Sequence, residues 1–188
     1  GIFKEYKKNK KPQKMNRYYD DIPDSISNKK DQIKILVQSI NHTPVRQIYV
    51  QNCEADDAIG YMCKYKLKDK RKIILSSDHD YYQLLDSSTI IWSPTMKDFV
   101  TKKSMQKKYA VSAENFCLAK SISGDKSDNI PGVKGVSYKT LAKIVPDTTS
   151  SNELGLNELF EQVKKQDTLN SKLSTQRILK SETLIRRN

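Results

Sequence analysis

The sequence predicts an α/β protein in which a parallel sheet with helices on both faces is followed by a smaller helical lobe. Three observations predict this class. Short apolar segments of strand length alternate with helical segments in the first 110 residues, which is the pattern of βαβ units. After Thr101 helical periodicity dominates to the end of the chain. The length, 188 residues, is enough for one domain with a real core or for two small lobes.

Each element has a local signal. Residues 1–27 are dense in charge and contain Pro12 and Pro23, so we expect a basic loop there. Apolar residues with helical spacing predict helices from residue 28 to 40 and from 54 to about 68. Short β-branched or aromatic runs between turn signals predict strands at 47–50, 72–77, 89–92 and 98–100. We therefore expect an α/β core over 1–110 and a helical lobe over 111–188 that contains a glycine-rich hairpin at 124–145.

The charge balance indicates a polyanionic partner. Lys and Arg number 34 and Asp and Glu 22, which gives a formal net charge of +12. A balance of this size favours nucleic acid, an acidic membrane surface or an acidic protein as partner. No apolar run approaches the roughly 20 residues that span a bilayer, and no secretory signal opens the chain. The three cysteines lack the CxxC spacing that favours zinc.

Against this basic background, carboxylates occur in three groups near predicted strand ends. The first follows the predicted strand 47–50, the second directly follows the strand 72–77, and the third precedes the glycine-rich hairpin. Because ligands bind beyond the carboxyl ends of parallel strands, we expect the groups to converge. The groups are Glu54, Asp56 and Asp57; Asp78 and Asp80; and Asp125 and Asp128.

Each group alone has an ordinary explanation. Acidic residues in the first turn of a helix are stabilised by about 0.3–1 kcal/mol each, and DHD and GDKSDN are common turn or cap sequences. Independent caps, however, have no reason to gather at one edge of a sheet. Converged carboxylates would repel one another unless cations bind, and all-oxygen ligands suit Mg²⁺ or Mn²⁺. The pattern predicts a metal site within a nucleic-acid-binding surface.

The segment NIPGVKGVSYKTLAKI, residues 129–144, predicts two helices joined by a tight loop. Gly132 and Gly135 would let backbone N–H groups approach a phosphate, and Lys134 and Lys139 would add positive charge. Contacts of this kind hold the nucleic-acid backbone without reading sequence. For an isolated GxxG the simpler interpretation is a helix cap and a turn with exposed lysines.

Three motifs together resemble the 5′-nuclease superfamily: EADD, ILSSDHDYYQLL and SGDKSDNIPGVKGVSYKT. This superfamily includes flap endonucleases, phage 5′–3′ exonucleases and the 5′-nuclease domain of bacterial DNA polymerase I. The resemblance is closer to the bacterial and phage branch and extends from about residue 1 to 145. It implies a PIN-like core, a helix–three-turn–helix motif that binds duplex backbone with a K⁺ ion, and a cytoplasmic enzyme of a bacterium or a phage-infected cell.

The resemblance also implies residue roles. Glu54, Asp56, Asp57 and Asp78 would hold one metal ion and Asp80, Asp125 and Asp128 the second, with Asp78 and Asp80 central to catalysis. The family's arch has a Tyr-Lys-x-x-Arg segment, in which Lys10 replaces the arginine and lacks its bidentate fork. Ser137 replaces a hairpin glycine and tolerates a left-handed backbone less well. The implied DNA-binding residues are Tyr6, Lys7, Lys10, Gly132, Lys134, Gly135, Ser137, Lys139 and Thr140.

The expected function is that of a structure-specific 5′-nuclease in replication or repair. Its expected substrates are DNA with a 5′ flap, a nick or a 5′ end, and an RNA primer on DNA. The family's first strand and its catalytic aspartate would lie upstream of Gly1, so we expect a truncated chain completed by a missing N-terminal segment or a second chain. Two other interpretations stay open: a non-catalytic duplex-DNA-binding fragment and a PIN-type ribonuclease.

Overall fold

The computed structural model describes residues 26–188, which fall into two units, 26–53 and 54–188. Most of the predicted basic loop, with Tyr6, Lys7 and Lys10, lies outside the described residues. The first unit begins with helix α1 (Ile26–Ile40), close to the prediction, and continues as a turn followed by irregular chain.

The predicted strand at 47–50 is wrong, because residues 45–50 adopt no regular secondary structure. A strand exists only where its backbone pairs with a neighbouring strand. Here no strand within residues 26–188 pairs with residues 45–50. The side-chain amide of Gln47 donates hydrogen bonds to the Val37 carbonyl (2.8 Å) and to Asn41 Oδ1 (2.7 Å). Ile48 and Tyr49 are 60% and 89% exposed. The Glu54–Asp57 group therefore does not follow a strand in this structure.

The second unit contains a three-stranded sheet in the order β1-β2-β3. Strands β1 (Lys72–Leu75) and β2 (Thr89–Ser93) are parallel, with Ile74 opposite Ile91, as the sequence predicts. Strand β3 (Asp98–Val100) forms an antiparallel hairpin with β2. The α/β fold class is confirmed.

The inner face of this sheet is covered by helices. Ile74, Ile91 and Val100 are buried there. They belong to one core with side chains from helix α2 (Ala55–Tyr61), the 3₁₀ helix His79–Leu84, helix α3 (Lys102–Tyr109) and helix α4 (Phe116–Ser123). The outer face has Ile73, Leu75 and Phe99 exposed by 63%, 71% and 44%. Within residues 54–188, helices thus pack on one face of the sheet.

The remaining helices form a second core. Helix α5 (Tyr138–Ile144) is followed by α6 (Leu156–Leu169), α7 (Leu173–Lys180) and α8 (Glu182–Arg187). These helices bury apolar side chains against the second half of α4, where Ala119 and Ile122 are fully buried. Helix α4 therefore belongs to both cores and connects the sheet to the helical lobe. No helix within residues 26–188 has the length and apolar character needed to cross a bilayer.

Candidate metal and nucleic-acid site

The turn after β1 positions Asp78 and Asp80. Asp78 is the N-cap of the 3₁₀ helix, and its carboxylate accepts the backbone N–H of Asp80 at 3.1 Å. The hydroxyl of Ser76 in turn accepts the N–H of Asp78 at 3.0 Å. These local bonds leave Asp78 exposed, whereas the side chain of Asp80 is only 30% exposed and points toward α4. The turn thus presents Asp80 to the helical lobe.

Lys120 on α4 joins two of the predicted site carboxylates. Its ammonium group forms a salt bridge with Asp125 Oδ2 at 2.6 Å and a second, hydrogen-bonded one with Asp80 Oδ1. Side-chain exposure is 21% for Lys120 and 15% for Asp125, so solvent screens this cluster less than a surface ion pair. Carboxylates from two distant segments therefore meet at one positive charge.

The pKa values reflect this pairing. Burial by itself would lower the pKa of Lys120, but hydrogen bonds to Asp125 and Asp80 outweigh it, and the pKa lies above its ordinary value. Burial would likewise raise the pKa of Asp125, but hydrogen bonds from Lys120 and Ser127 lower it to about 2. Near neutral pH Lys120 is therefore protonated and Asp125 is ionised.

The loop after α4 holds Asp125 in place. Its backbone pairs with Ile130 through two hydrogen bonds of 2.9 and 2.8 Å, which close the GDKSDN turn. The side chain of Asp125 also accepts the backbone N–H of Ser127 at 2.8 Å. Asp128, within the same turn, is 9% exposed. Local turn chemistry therefore orients the carboxylate of Asp125.

Two cavities share Asp80. One, of about 480 Å³, has Asp56, Asp57 and Asp80 among its lining residues. The other, of about 180 Å³, has Asp80, Lys120, Asp125 and Asp128. Five of the seven predicted carboxylates thus border two adjacent spaces.

Glu54 and Asp78 are exposed and do not line either of these cavities. Nowhere in residues 26–188 do three or more acidic, histidine or cysteine side chains come close enough to hold one metal ion. The structure thus places five of the seven predicted carboxylates around two cavities, and not around a single point.

The donor set fits a hard divalent cation. Asp80 and Asp125 direct carboxylate oxygens at the Lys120 ammonium group, and Mg²⁺ and Mn²⁺ prefer oxygen ligands of this kind. The ammonium of Lys120 stands in for a cation between two of them. A divalent ion that used both Asp80 and Asp125 would have to displace this ammonium group.

The hairpin glycines are required by close backbone approach and by backbone conformation. A Cβ on Gly132 would lie 2.0 Å from the Ser123 carbonyl oxygen, and Gly135 has φ +78°. Ser137 has φ −91°, so the concern about a left-handed backbone does not apply. It is instead the N-cap of α5, and its hydroxyl accepts the N–H of Thr140 at 3.2 Å. Lys134 and Lys139 are both exposed.

Sequence reasoning missed Lys120. The signal was available: a single lysine interrupts the apolar stretch LAKSI, five residues before Asp125. A lysine in the half-buried part of a helix requires a negative partner. The nearest acidic motif, GDKSDN, follows directly.

A family model described as 5′-3′ exonuclease, N-terminal resolvase-like domain, matches residues 1–110. The chain belongs to this 5′–3′ exonuclease family. Over 162 residues it is 30% identical to DNA polymerase I of Caldicellulosiruptor bescii. This alignment covers 82% of this chain and 18% of the polymerase. The chain is also 30% identical over 141 residues to the 5′-3′ exonuclease of Buchnera aphidicola subsp. Schizaphis graminum, covering 74% of this chain and 45% of that protein.

Solved structures show the exonuclease fold. A T5 protein co-crystallised with metal ions aligns with a TM-score of 0.69 and 22% identity, over 86% of this chain and 59% of that one. A bacteriophage T5 flap endonuclease in a pseudo-enzyme–product complex with DNA and metal ions aligns with a TM-score of 0.65 and 21% identity, over 87% and 60%. The chain spans about a fifth of the polymerases and about half of the separate exonucleases that it matches.

Proposed function

We propose that this chain is the nuclease part of a structure-specific 5′-nuclease that hydrolyses DNA at a 5′ flap, a nick or a 5′ end. The observation that supports this most directly is the convergence of Asp80 and Asp125 on one half-buried positive charge, next to a glycine-rich hairpin with exposed lysines. Membership of the 5′–3′ exonuclease family supports the same activity. We expect the enzyme in the cytoplasm of a bacterium or a phage-infected cell, and an RNA primer on DNA as a further substrate.

The proposed metal ligands are Glu54, Asp56, Asp57 and Asp78 for one ion and Asp80, Asp125 and Asp128 for the other. When bound, two Mg²⁺ or Mn²⁺ ions would supply an activated water and stabilise the leaving 3′-oxygen. The residues of this chain then have separate tasks. Asp80 and Asp125 would provide oxygen ligands, and Lys120, which is protonated, offsets part of their negative charge before substrate arrives.

We assign backbone binding to the hairpin within a proposed helical lobe, residues 111–188. Its glycines allow the chain at residues 132–135 to approach a phosphate closely, and Lys134 and Lys139 add charge that does not read sequence. The left-handed Gly135 and the Ser137 cap shape this loop. We also propose that a K⁺ ion binds at the hairpin. In a core that we propose to span residues 1–110, Tyr6, Lys7 and Lys10 would contact the scissile phosphate.

A second candidate is a metal-free duplex-DNA-binding module. The Lys120 salt bridges favour it, because one ammonium group pairs with both Asp80 and Asp125 and offsets part of their negative charge without a metal ion. The two candidates share DNA binding and differ in catalysis. An assay of DNA cleavage therefore distinguishes the nuclease from the binding module.

The test is cleavage of a 5′-flap duplex by the full chain with Mg²⁺ or Mn²⁺. We expect products with a 5′-phosphate from the wild type, and a loss of at least about a hundredfold in rate for Asp80→Asn combined with Asp125→Asn. Asp69→Asn, at an exposed site after α2, is the matched control and should retain the wild-type rate. Undiminished cleavage by the double variant would refute the assignment, and DNA binding without cleavage by the wild type would favour the binding module.

A further inference from the structure

An aromatic pair borders the larger acidic cavity, and the proposed function gives it no role. Tyr61 and Tyr65 line this cavity of about 480 Å³ together with Asp56, Asp57 and Asp80. We infer that these two rings bind a nucleobase of the 5′ strand, the unpaired base next to the phosphate that is cleaved. This inference rests on the proposed function and adds to it a base-binding subsite.

The exposure of both rings is the first observation. Tyr61 is 52% exposed and Tyr65 is 66% exposed, whereas Tyr81 and Tyr82, on the 3₁₀ helix, are 8% and 3% exposed. Core packing therefore accounts for the second pair and not for the first. The two exposed rings lie 5.2 Å apart between centroids, with their planes 38° apart. Together they form an aromatic surface that opens to the cavity.

The helix geometry is the second observation. Helix α2 continues at Met62–Lys66 as a π-helix, and the N–H of Leu67 donates to the Met62 carbonyl at 2.8 Å. In a π-helix residues five apart lie on one face, and such segments are frequent at functional sites. This arrangement brings the ammonium of Lys66 to 5.8 Å from the centroid of the Tyr61 ring. The backbone irregularity thus places a cation beside the aromatic pair.

The chemistry of the cavity suits one nucleotide. Its lining combines carboxylates, where the proposed metal ions would hold a phosphate, with the two exposed aromatic rings and Lys64. Its volume is within the range of about 300–1,000 Å³ that is typical of ligand sites. Aromatic side chains bind bases of any identity because every base has a π-face. The geometry therefore predicts base binding that tolerates any sequence.

Binding to a fluorescent 5′-flap duplex in EDTA, where no cleavage occurs, tests this inference. Replacing both rings, Tyr61→Leu with Tyr65→Leu, should weaken binding by about tenfold or more, since base stacking on aromatic residues contributes that much per base. Tyr61→Phe with Tyr65→Phe keeps the rings and should retain wild-type affinity. Phe99→Leu, an exposed ring on the outer face of the sheet, is the matched control and should also bind normally.

A substrate scan locates the base. An abasic residue placed at each position near the flap junction should weaken wild-type binding at one position only, and at that position it should not weaken the double leucine variant further. Photocrosslinking of the wild-type chain to 5-iodouracil at the same position should modify Tyr61 or Tyr65, a result that does not depend on how the variants fold.

The outcomes are distinguishable. If the wild type binds and cleaves flap DNA while the leucine variants bind equally well and no crosslink reaches Tyr61 or Tyr65, the base-binding subsite is refuted and the nuclease assignment stands. If the wild type binds no flap DNA, the proposed function fails, and the subsite fails with it.

Discussion

The rings of Phe116 and Tyr138 stack nearly parallel, with centroids 5.3 Å apart and planes 8° apart. Phe116 begins α4 and is 1% exposed, and Tyr138 is the first residue of α5, directly after the hairpin loop. Tyr109, at the end of α3, contacts both rings edge-on, at 5.5 and 5.3 Å. These three rings fix the hairpin against the helices that cover the sheet.

We expect the Phe116–Tyr138 pair to stabilise the fold beyond its burial. A double-mutant cycle of Phe116→Leu and Tyr138→Leu should give a coupling of about 0.5–1.5 kcal/mol in the free energy of unfolding. Urea denaturation of the four proteins measures it. Phe116→Leu with Trp92→Leu is the control, because Trp92 contacts Phe99 on the outer face of the sheet. Additive effects within about 0.3 kcal/mol for the stacked pair would contradict the prediction.

The Lys120–Asp125 salt bridge predicts a dependence of stability on pH. The pKa of Asp125 is about 2 in the folded chain, below the ordinary value of 3.8 for an aspartate. A lowered folded pKa gives stability that is present above the unfolded pKa and is lost as pH falls through the folded value. The contribution is up to about 2 kcal/mol near neutral pH, and it should diminish between about pH 5 and pH 1.

Lys120→Met should remove most of this dependence. Urea unfolding in EDTA from pH 2 to pH 7 should show a flatter stability profile for the variant than for the wild type. Lys126→Met changes an exposed lysine in the same turn and should leave the profile unaltered. Identical profiles for Lys120→Met and the wild type would show that the ammonium group does not stabilise ionised Asp125.

The same lysine predicts a change in metal affinity. Because its ammonium occupies the oxygens of Asp80 and Asp125, Lys120→Met should bind Mn²⁺ more tightly, by about tenfold, through loss of charge competition at close range. Electron paramagnetic resonance of free Mn²⁺ during titration measures this affinity. Asp125→Asn should weaken binding in the same assay. Weaker Mn²⁺ binding by Lys120→Met would place the cation site elsewhere.

Much of the second unit could be predicted from the sequence. The strands at 72–75, 89–93 and 98–100 are short apolar runs bounded by turn residues, and each signal is local. The same is true of Asp78 and Asp125, whose positions follow from the caps and turns that their own neighbours form. Where a few adjacent residues determine the geometry, the sequence pattern is sufficient to predict it.

The errors concern long-range partners. The run at 47–50 has the composition of a strand, but composition does not supply a neighbouring strand, and the segment stays irregular. The pairing of Lys120 with Asp80 likewise depends on how α4 packs against the 3₁₀ helix, which no local pattern reports. In the loop that leads into α5, Gly135 has the positive φ, whereas Ser137 caps the helix, a distinction that depends on where α5 begins.

Three glycine-to-alanine substitutions should differ in their effect on stability. At Gly132 a Cβ would meet the Ser123 carbonyl oxygen at 2.0 Å, and backbone cannot move aside cheaply, so we expect a loss of more than about 3 kcal/mol or failure to fold. At Gly135 a Cβ would meet Arg177 Nη1 at 2.7 Å, a flexible group, but φ +78° adds strain of about 1–2 kcal/mol. At Gly60, within α2, nothing lies within 4 Å, and alanine should stabilise by about 0.5–1 kcal/mol.

The loss of stability expected for Gly135→Ala has two causes, the positive φ and the contact with Arg177, and these can be separated. Arg177 Nη1 also donates a hydrogen bond to the Lys134 carbonyl at 3.2 Å, so the arginine contacts the loop whose conformation Gly135 sets. Gly135→Asn keeps a residue that tolerates the left-handed region, and it should destabilise less than Gly135→Ala although its Cβ meets the same guanidinium. Thermal unfolding and duplex-DNA affinity of the two variants should follow the same order. Equal losses for alanine and asparagine would mean that contact with Arg177, and not the positive φ, is what requires glycine here.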